Sequence, residues 1–102
     1  MINHIIIWNL DKNLSAEEKQ KVKAEAKKNL EALFGKIGGL TKIKVEINPL
    51  ESSNADILLF TQFTDEEALK NYQQSPLHNA VADKYVRPYT VSRACLDYIC
   101  EE

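Results

Sequence analysis

Residues 2 to 10, INHIIIWNL, set isoleucines and a tryptophan at close spacing without Gly or Pro, which predicts a strand. Both of its faces are apolar, with Ile6, Trp8 and Leu10 on one side and Ile5 and Ile7 on the other. The period then changes. Ser15 and Glu18 have the spacing of a capping box, in which the serine hydroxyl accepts from an early helix N–H and the glutamate reaches back. Behind them Val22, Ala26, Leu30, Leu33 and Phe34 recur at helical spacing, predicting about five turns with one apolar stripe. Gly35, Gly38 and Gly39 end that helix.

Residues 40 to 47 alternate. Thr41, Ile43, Val45 and Ile47 share one side and Lys42, Lys44 and Glu46 the other, as on a strand near a sheet edge or a wet face. After a polar loop, residues 55 to 63 (ADILLFTQF) predict a third strand, apolar on both sides through Ile57 and Leu59 against Leu58 and Phe60. Thr64 and Glu67 repeat the capping-box spacing ahead of a helix carrying Ala68, Leu69 and Tyr72. Ser75-Pro76 restarts a helix, with Ser as N-cap and Pro at the first helical position, and Val81, Ala82, Tyr85 and Val86 continue its stripe to Arg87-Pro88. Residues 89 to 99 predict the last strand.

The order β-α-β-β-α-β is the ferredoxin-like arrangement, an α+β fold with an antiparallel sheet whose first and third strands lie at the centre. Two helices can cover only one face of that sheet, yet both central strands are apolar on both faces. No residues are left to build another layer. A second copy packed sheet to sheet is the simplest cover, so the pattern predicts a homodimer.

Composition narrows the class. At 102 residues the chain forms one domain, residues 1–102, with one modest core. A net charge of −2 with interspersed Lys and Glu supplies no counterion-releasing surface, so nucleic acid is not an expected partner. No apolar run approaches the roughly 20 residues of a membrane helix, and the first ten residues lack the basic start of a signal peptide. Cys95 and Cys100, an odd number of residues apart on one strand, point to opposite faces and are expected as free thiols. Free thiols without an export signal lead to an expected cytoplasmic location.

Three stretches together, MINHIIIW, TDEEALKNYQQSPLH and VRPYTVSRACLDY, resemble the stress-responsive dimeric α/β-barrel (Dabb) family over residues 2 to 99. The resemblance implies a ferredoxin-like unit whose sheet joins that of a second copy in a barrel. Many members have no established activity. One branch comprises plant polyketide (olivetolic acid) cyclases, which use a tyrosine and a histidine in a pocket between helices and sheet. Tyr72 and His78 match that pair, and His4 matches a histidine many members share. Trp8 stands where the cyclases carry an aliphatic residue, and Ala26 and Lys27 lie where the cyclase contributes a tyrosine.

As candidate catalytic groups, His78 would be a general base, third in its helix and near the positive end of the dipole, and Tyr72 would donate to a carbonyl oxygen. A pocket formed with them would take surface from Ile6, Trp8, Ile57, Leu59 and Val81, with His4 as a further polar handle. Arg93, Cys95 and Asp97 alternate onto one face; Arg93 either holds an anionic ligand group or pairs with Asp97. Two histidines without an acidic pair beside them specify no metal site, and no motif specifies a cofactor. The leading expectation is a domain binding a small hydrophobic or carbonyl-bearing molecule. A cyclase-like lyase using Tyr72 and His78 is the alternative, and a structural or stress-associated assembly protein without a small-molecule site is the third. The sequence leaves open whether the chain is an enzyme.

Overall fold

A computed structural model describes residues 1–101 of the chain. Its elements run β1 (Ile2–Leu10), α1 (Ala16–Glu31), β2 (Leu40–Glu46), β3 (Ile57–Phe63), α2 (Glu66–Gln74), α3 (Pro76–Tyr85), a 3-10 turn (Arg87–Tyr89) and β4 (Thr90–Ile99). The strands form one antiparallel sheet in the order β2-β3-β1-β4. This is the ferredoxin-like topology, with its second helix broken into α2 and α3.

The breaks and caps have local causes. Ser15 Oγ accepts from the Glu18 N–H at 3.0 Å while Glu18 Oε1 accepts from the Ser15 N–H at 2.8 Å. Such a cap is typically worth about 1 kcal/mol. The helix it opens stops at Glu31 and not at Phe34, so Phe34 leaves the apolar stripe and is 56% exposed. Glu31 is held sideways: its carboxylate accepts from Lys27 Nζ at 2.8 Å and from the Val45 N–H at 2.9 Å, pinning the helix end to the edge strand β2. The cap of α2 is likewise one residue later than its spacing suggests. Asp65 Oδ1 accepts from the Ala68 N–H at 2.8 Å, because Thr64 is still tied to the sheet end, its N–H donating to the Gly39 carbonyl at 3.0 Å. Gly39 has φ +81°, and a Cβ there would lie 2.4 Å from Ala68 Cβ, so the turn before β2 sits against the first turn of α2.

Between α2 and α3, Ser75 is extended (φ −64°, ψ 128°) and Pro76 opens the new helix. Ser75 is the N-cap by position, but its hydroxyl makes no capping bond; its carbonyl accepts from the Asn79 N–H at 3.0 Å. The proline removes one of the N–H groups that would otherwise need a partner.

Ile6, Trp8 and Leu10 of β1, Val45 of β2 and Leu59 and Phe63 of β3 meet Val22, Ala26 and Leu30 of α1 and Leu69 and Tyr72 of α2 in the core. The opposite face carries Ile5, Ile7, Leu58, Phe60, Leu96 and Tyr98 by the strand register, and no helix covers it. Ile7 is 37% and Leu96 62% exposed, an apolar face left open for another layer. Cys95 and Cys100 are both free, Cys95 on the helix side of β4 and Cys100 on the open side.

Candidate functional site

The helices do not cover the sheet evenly. α1 lies against β2 and α2 crosses β1 to β3, which leaves the helix-side surface of β4 bare. A cleft of about 400 Å³ opens there, between β1, β4 and α3 with the 3-10 turn behind it. Ile6, Trp8, Leu59 and Val86 form its apolar wall, and His4, His78, Arg87 and Arg93 supply polar groups. Another hollow, of about 410 Å³ beside the β2–β3 loop, contains no histidine or arginine in its walls.

Of the residues grouped in a pocket from sequence, His4, Ile6, Trp8, Leu59, His78 and Arg93 line this cleft. Tyr72, Ile57 and Val81 do not. Ile57 pairs with Trp8 at the far end of β3 and is core. Val81 packs against the core from α3. Tyr72 is fully buried directly behind His78, with ring centroids 4.2 Å apart, and it also packs on Phe63 at 5.1 Å.

Tyr72 and His78 share an unusual condition. The Tyr72 hydroxyl and His78 Nδ1 are buried without a hydrogen-bond partner among the described residues. An unpaired buried polar group ordinarily costs about 1–3 kcal/mol, so such groups call for an explanation. Burial raises the Tyr72 pKa well above its ordinary value, so the phenol stays protonated and can only donate or accept as a neutral group. Burial also pushes His78 down to about 4, aided by the positive charge of Arg87 and by His4 and Arg93, with Asp83 opposing. His78 is therefore a neutral imidazole at neutral pH, with a free nitrogen.

His4 is buried, and its Nδ1 is hydrogen-bonded to Asp97 Oδ1, its cross-strand partner on β4. Its backbone carbonyl accepts from Thr61 Oγ1 at 2.9 Å, fixing the strand below the ring. Asp97 thus pairs with His4, and no Arg93–Asp97 ion pair occurs among the described residues. Arg93 is left facing the cleft. Cys95 Sγ lies 3.5 Å from Asp97 Oδ1 and 3.9 Å from His4 Nδ1. Desolvation, and then the Asp97 carboxylate, raise that thiol's pKa. The grouping of His4 with Cys95 and Asp97 was not visible in sequence, where the alternation of β4 joined Arg93, Cys95 and Asp97 but gave no register to β1. Arg87 was read only as part of a helix stop, and here it lines the cleft.

An antiparallel ferredoxin-like domain, helices on one face and an apolar sheet on the other, with a histidine-bearing cleft at one edge, defines the class. Within it, the chain belongs to the Stress responsive A/B Barrel Domain (Dabb) family, whose model matches residues 2–100. A dimeric protein of unknown function with a ferredoxin-like fold from Bacteroides fragilis is 33% identical, with TM-score 0.88 over 95% of this chain and 93% of that one. A Dabb family protein from Mesorhizobium loti is 22% identical, with TM-score 0.74 over 99% and 97%. The fold is also that of a hydroxynitrile lyase from Passiflora edulis, 17% identical, with TM-score 0.71 over 99% and 94%. No curated protein matches the chain.

Proposed function

We propose that each subunit of a homodimer binds a small, mainly apolar molecule carrying a carbonyl or hydroxyl group in the cleft between β1, β4 and α3. One observation carries this reading: a cleft of about 400 Å³, walled by Ile6, Trp8 and Leu59, has in its lining a neutral His78, whose buried Nδ1 lacks a partner among the described residues. Ligand pockets typically combine such apolar walls with a few placed polar groups. Neutral imidazole hydrogen-bonds a carbonyl or hydroxyl without requiring a counter-charge. Arg87 and Arg93 at the cleft suit a ligand with partial or full negative charge at one end. Dimeric relatives support the homodimer, and the open apolar sheet face is the surface it would use.

Trp8 is the only tryptophan and lies in the cleft wall, so ligand entry should change intrinsic fluorescence. Titration with aromatic and alkyl aldehydes, ketones and 1,3-diketones should give saturable quenching, weakened in His78→Ala. If no compound of these types quenches Trp8, and native mass spectrometry of the protein purified from cells carries no bound mass, the reading is wrong.

A second reading, proton-transfer catalysis by His78 with Tyr72 as hydrogen-bond donor, is favoured by their adjacency and by their two unpaired polar atoms. His78 would remove a proton alpha to a carbonyl, and Tyr72 would stabilise the oxygen on which charge develops. This requires the buried Tyr72 hydroxyl to gain access to the cleft. His78→Ala separates the readings. Loss of a general base should lower turnover by ~10²-fold or more, whereas a pure binder loses affinity alone.

A further inference from the structure

We infer that His4, Cys95 and Asp97 form a mononuclear site for a zinc-class divalent transition metal. Three different ligand types converge from two adjacent strands. His4 Nδ1, Cys95 Sγ and Asp97 Oδ1 lie within 4.8 Å of one another. The sulfur stands 3.5 Å from the carboxylate oxygen and 3.9 Å from the imidazole nitrogen. Ligands at Zn–N, Zn–O and Zn–S lengths of about 2.0–2.3 Å around a tetrahedral centre stand roughly 3.3–3.7 Å apart. Two of the three separations are therefore near those of a loaded site. The third, between His4 and Asp97, is closed by their hydrogen bond, and a metal would take the place of the proton they share.

The placement comes from register and not from a flexible loop. His4 is opposite Asp97 and Ile6 opposite Cys95 in the β1–β4 ladder, so the three side chains leave the same face within one step of each other. His4 is buried and held by the sheet, while Cys95 and Asp97 are exposed and can adjust by side-chain rotation. A metal can reach the site from solvent on the bare side of β4.

The donor set selects the ion. Imidazole with thiolate favours zinc, cobalt and similar borderline ions, and disfavours magnesium and calcium, which take oxygen ligands. Binding moves the thiol proton of Cys95 to solvent as the S–metal bond forms, and the proton between His4 Nδ1 and Asp97 passes by way of solvent to His4 Nε2, leaving Nδ1 free to ligate. Three protein ligands leave a fourth position for water or a ligand atom, the arrangement of catalytic rather than structural zinc. His4 also lines the cleft, so the ion would sit beside it. Metal binding stands whether or not the cleft takes a carbonyl compound.

The test uses the full-length protein, without an affinity tag, and zinc or cobalt salts as probes. Wild-type protein should bind one Zn²⁺ per chain in competition with a chromogenic chelator. Its Co²⁺ form should show a sulfur-to-cobalt charge-transfer band. Cys95→Ala, an exposed position whose change leaves the core intact, should abolish the band and weaken binding by at least the ~10–100-fold that loss of even an outer partner produces. Cys100→Ala, on the other face, should bind as wild type. Asp97→Asn should weaken binding while keeping the thiolate band at high cobalt. Zinc should raise the melting temperature of wild type and not of Cys95→Ala. No stoichiometric binding by wild type, or equal binding by wild type and Cys95→Ala, would overturn the assignment. So would loss of binding in Cys100→Ala.

Discussion

The rings of Tyr72 and His78 pack at 4.2 Å between centroids, tilted 41° to each other, with the tyrosine hydroxyl and the histidine Nδ1 both lacking a partner among the described residues. Two buried polar atoms on packed rings are thus left unsatisfied behind the cleft.

Tyr72→Phe tests that directly. It removes a buried hydroxyl with no partner among the described residues while keeping the ring against Phe63 and His78. Urea unfolding at fixed protein concentration should show stability unchanged or raised by about 1 kcal/mol. A loss greater than about 1 kcal/mol would mean that the hydroxyl is bonded in solution.

His78 should make stability depend on pH. Its folded-state pKa of about 4 lies below the ordinary 6.5. Between those values the unfolded chain binds more protons than the folded one, so acid favours unfolding. Stability should be full above pH 6.5 and fall through the window down to pH 4, by on the order of 1–3 kcal/mol. The charges acting on the ring are Arg87, Arg93, His4 and Asp83. In His78→Asn this portion of the pH profile should flatten; an unchanged slope between pH 6.5 and 4 would assign the effect elsewhere.

Gly39 and Gly35 both have positive φ, +81° and +86°, but only Gly39 is crowded. Alanine at Gly35 meets nothing within 4 Å and should cost about 1 kcal/mol from backbone strain alone. At Gly39 the new Cβ would collide with Ala68 Cβ, so the loss should be larger by about 1–3 kcal/mol. Equal losses in thermal or urea melts would show that the turn and α2 are not in contact.

Leu96→Glu places a carboxylate on the open sheet face, where the residue is 62% exposed in a single chain. If two such faces pack together, the substitution buries charge in both copies, and desolvation disfavours association. Light scattering at micromolar concentration should give a dimer for wild type and a monomer for Leu96→Glu. A dimer in both would place the contact elsewhere.

Features that depend on near neighbours were legible in the sequence. The Ser15–Glu18 box, the Pro76 helix start and the two-sided apolar character of β1 and β3 are all local patterns, and they lead to the element order and to the unpaired sheet face. Where one residue decided a cap, tertiary contacts overrode spacing. Thr64 is committed to Gly39, so Asp65 caps α2, and Glu31 is drawn to β2, so α1 ends before Phe34. The place of His78 in the first turn of α3 follows from local pattern, whereas its neutral state follows from burial and from the charge of Arg87. Tyr72's complete burial depends on how α2 packs against β3 and α3, and the union of His4 with Asp97 on strand register between residues 93 apart, neither of which a local pattern encodes. That register contains an irregularity between Asn9 and Leu10 that no periodicity announces.

The central position of β1 also sets the order in which the fold can be completed. This strand leaves the ribosome before its neighbours, yet one neighbour is β3 and the other is β4, residues 90–99. Until those last residues emerge, a nine-residue segment apolar on both sides has an unpaired edge. Such long-range pairing slows folding and exposes sticky intermediates. Nascent chains stalled before residue 90 should therefore depend on chaperones, while release of β4 closes the sheet and the cleft in a single late step.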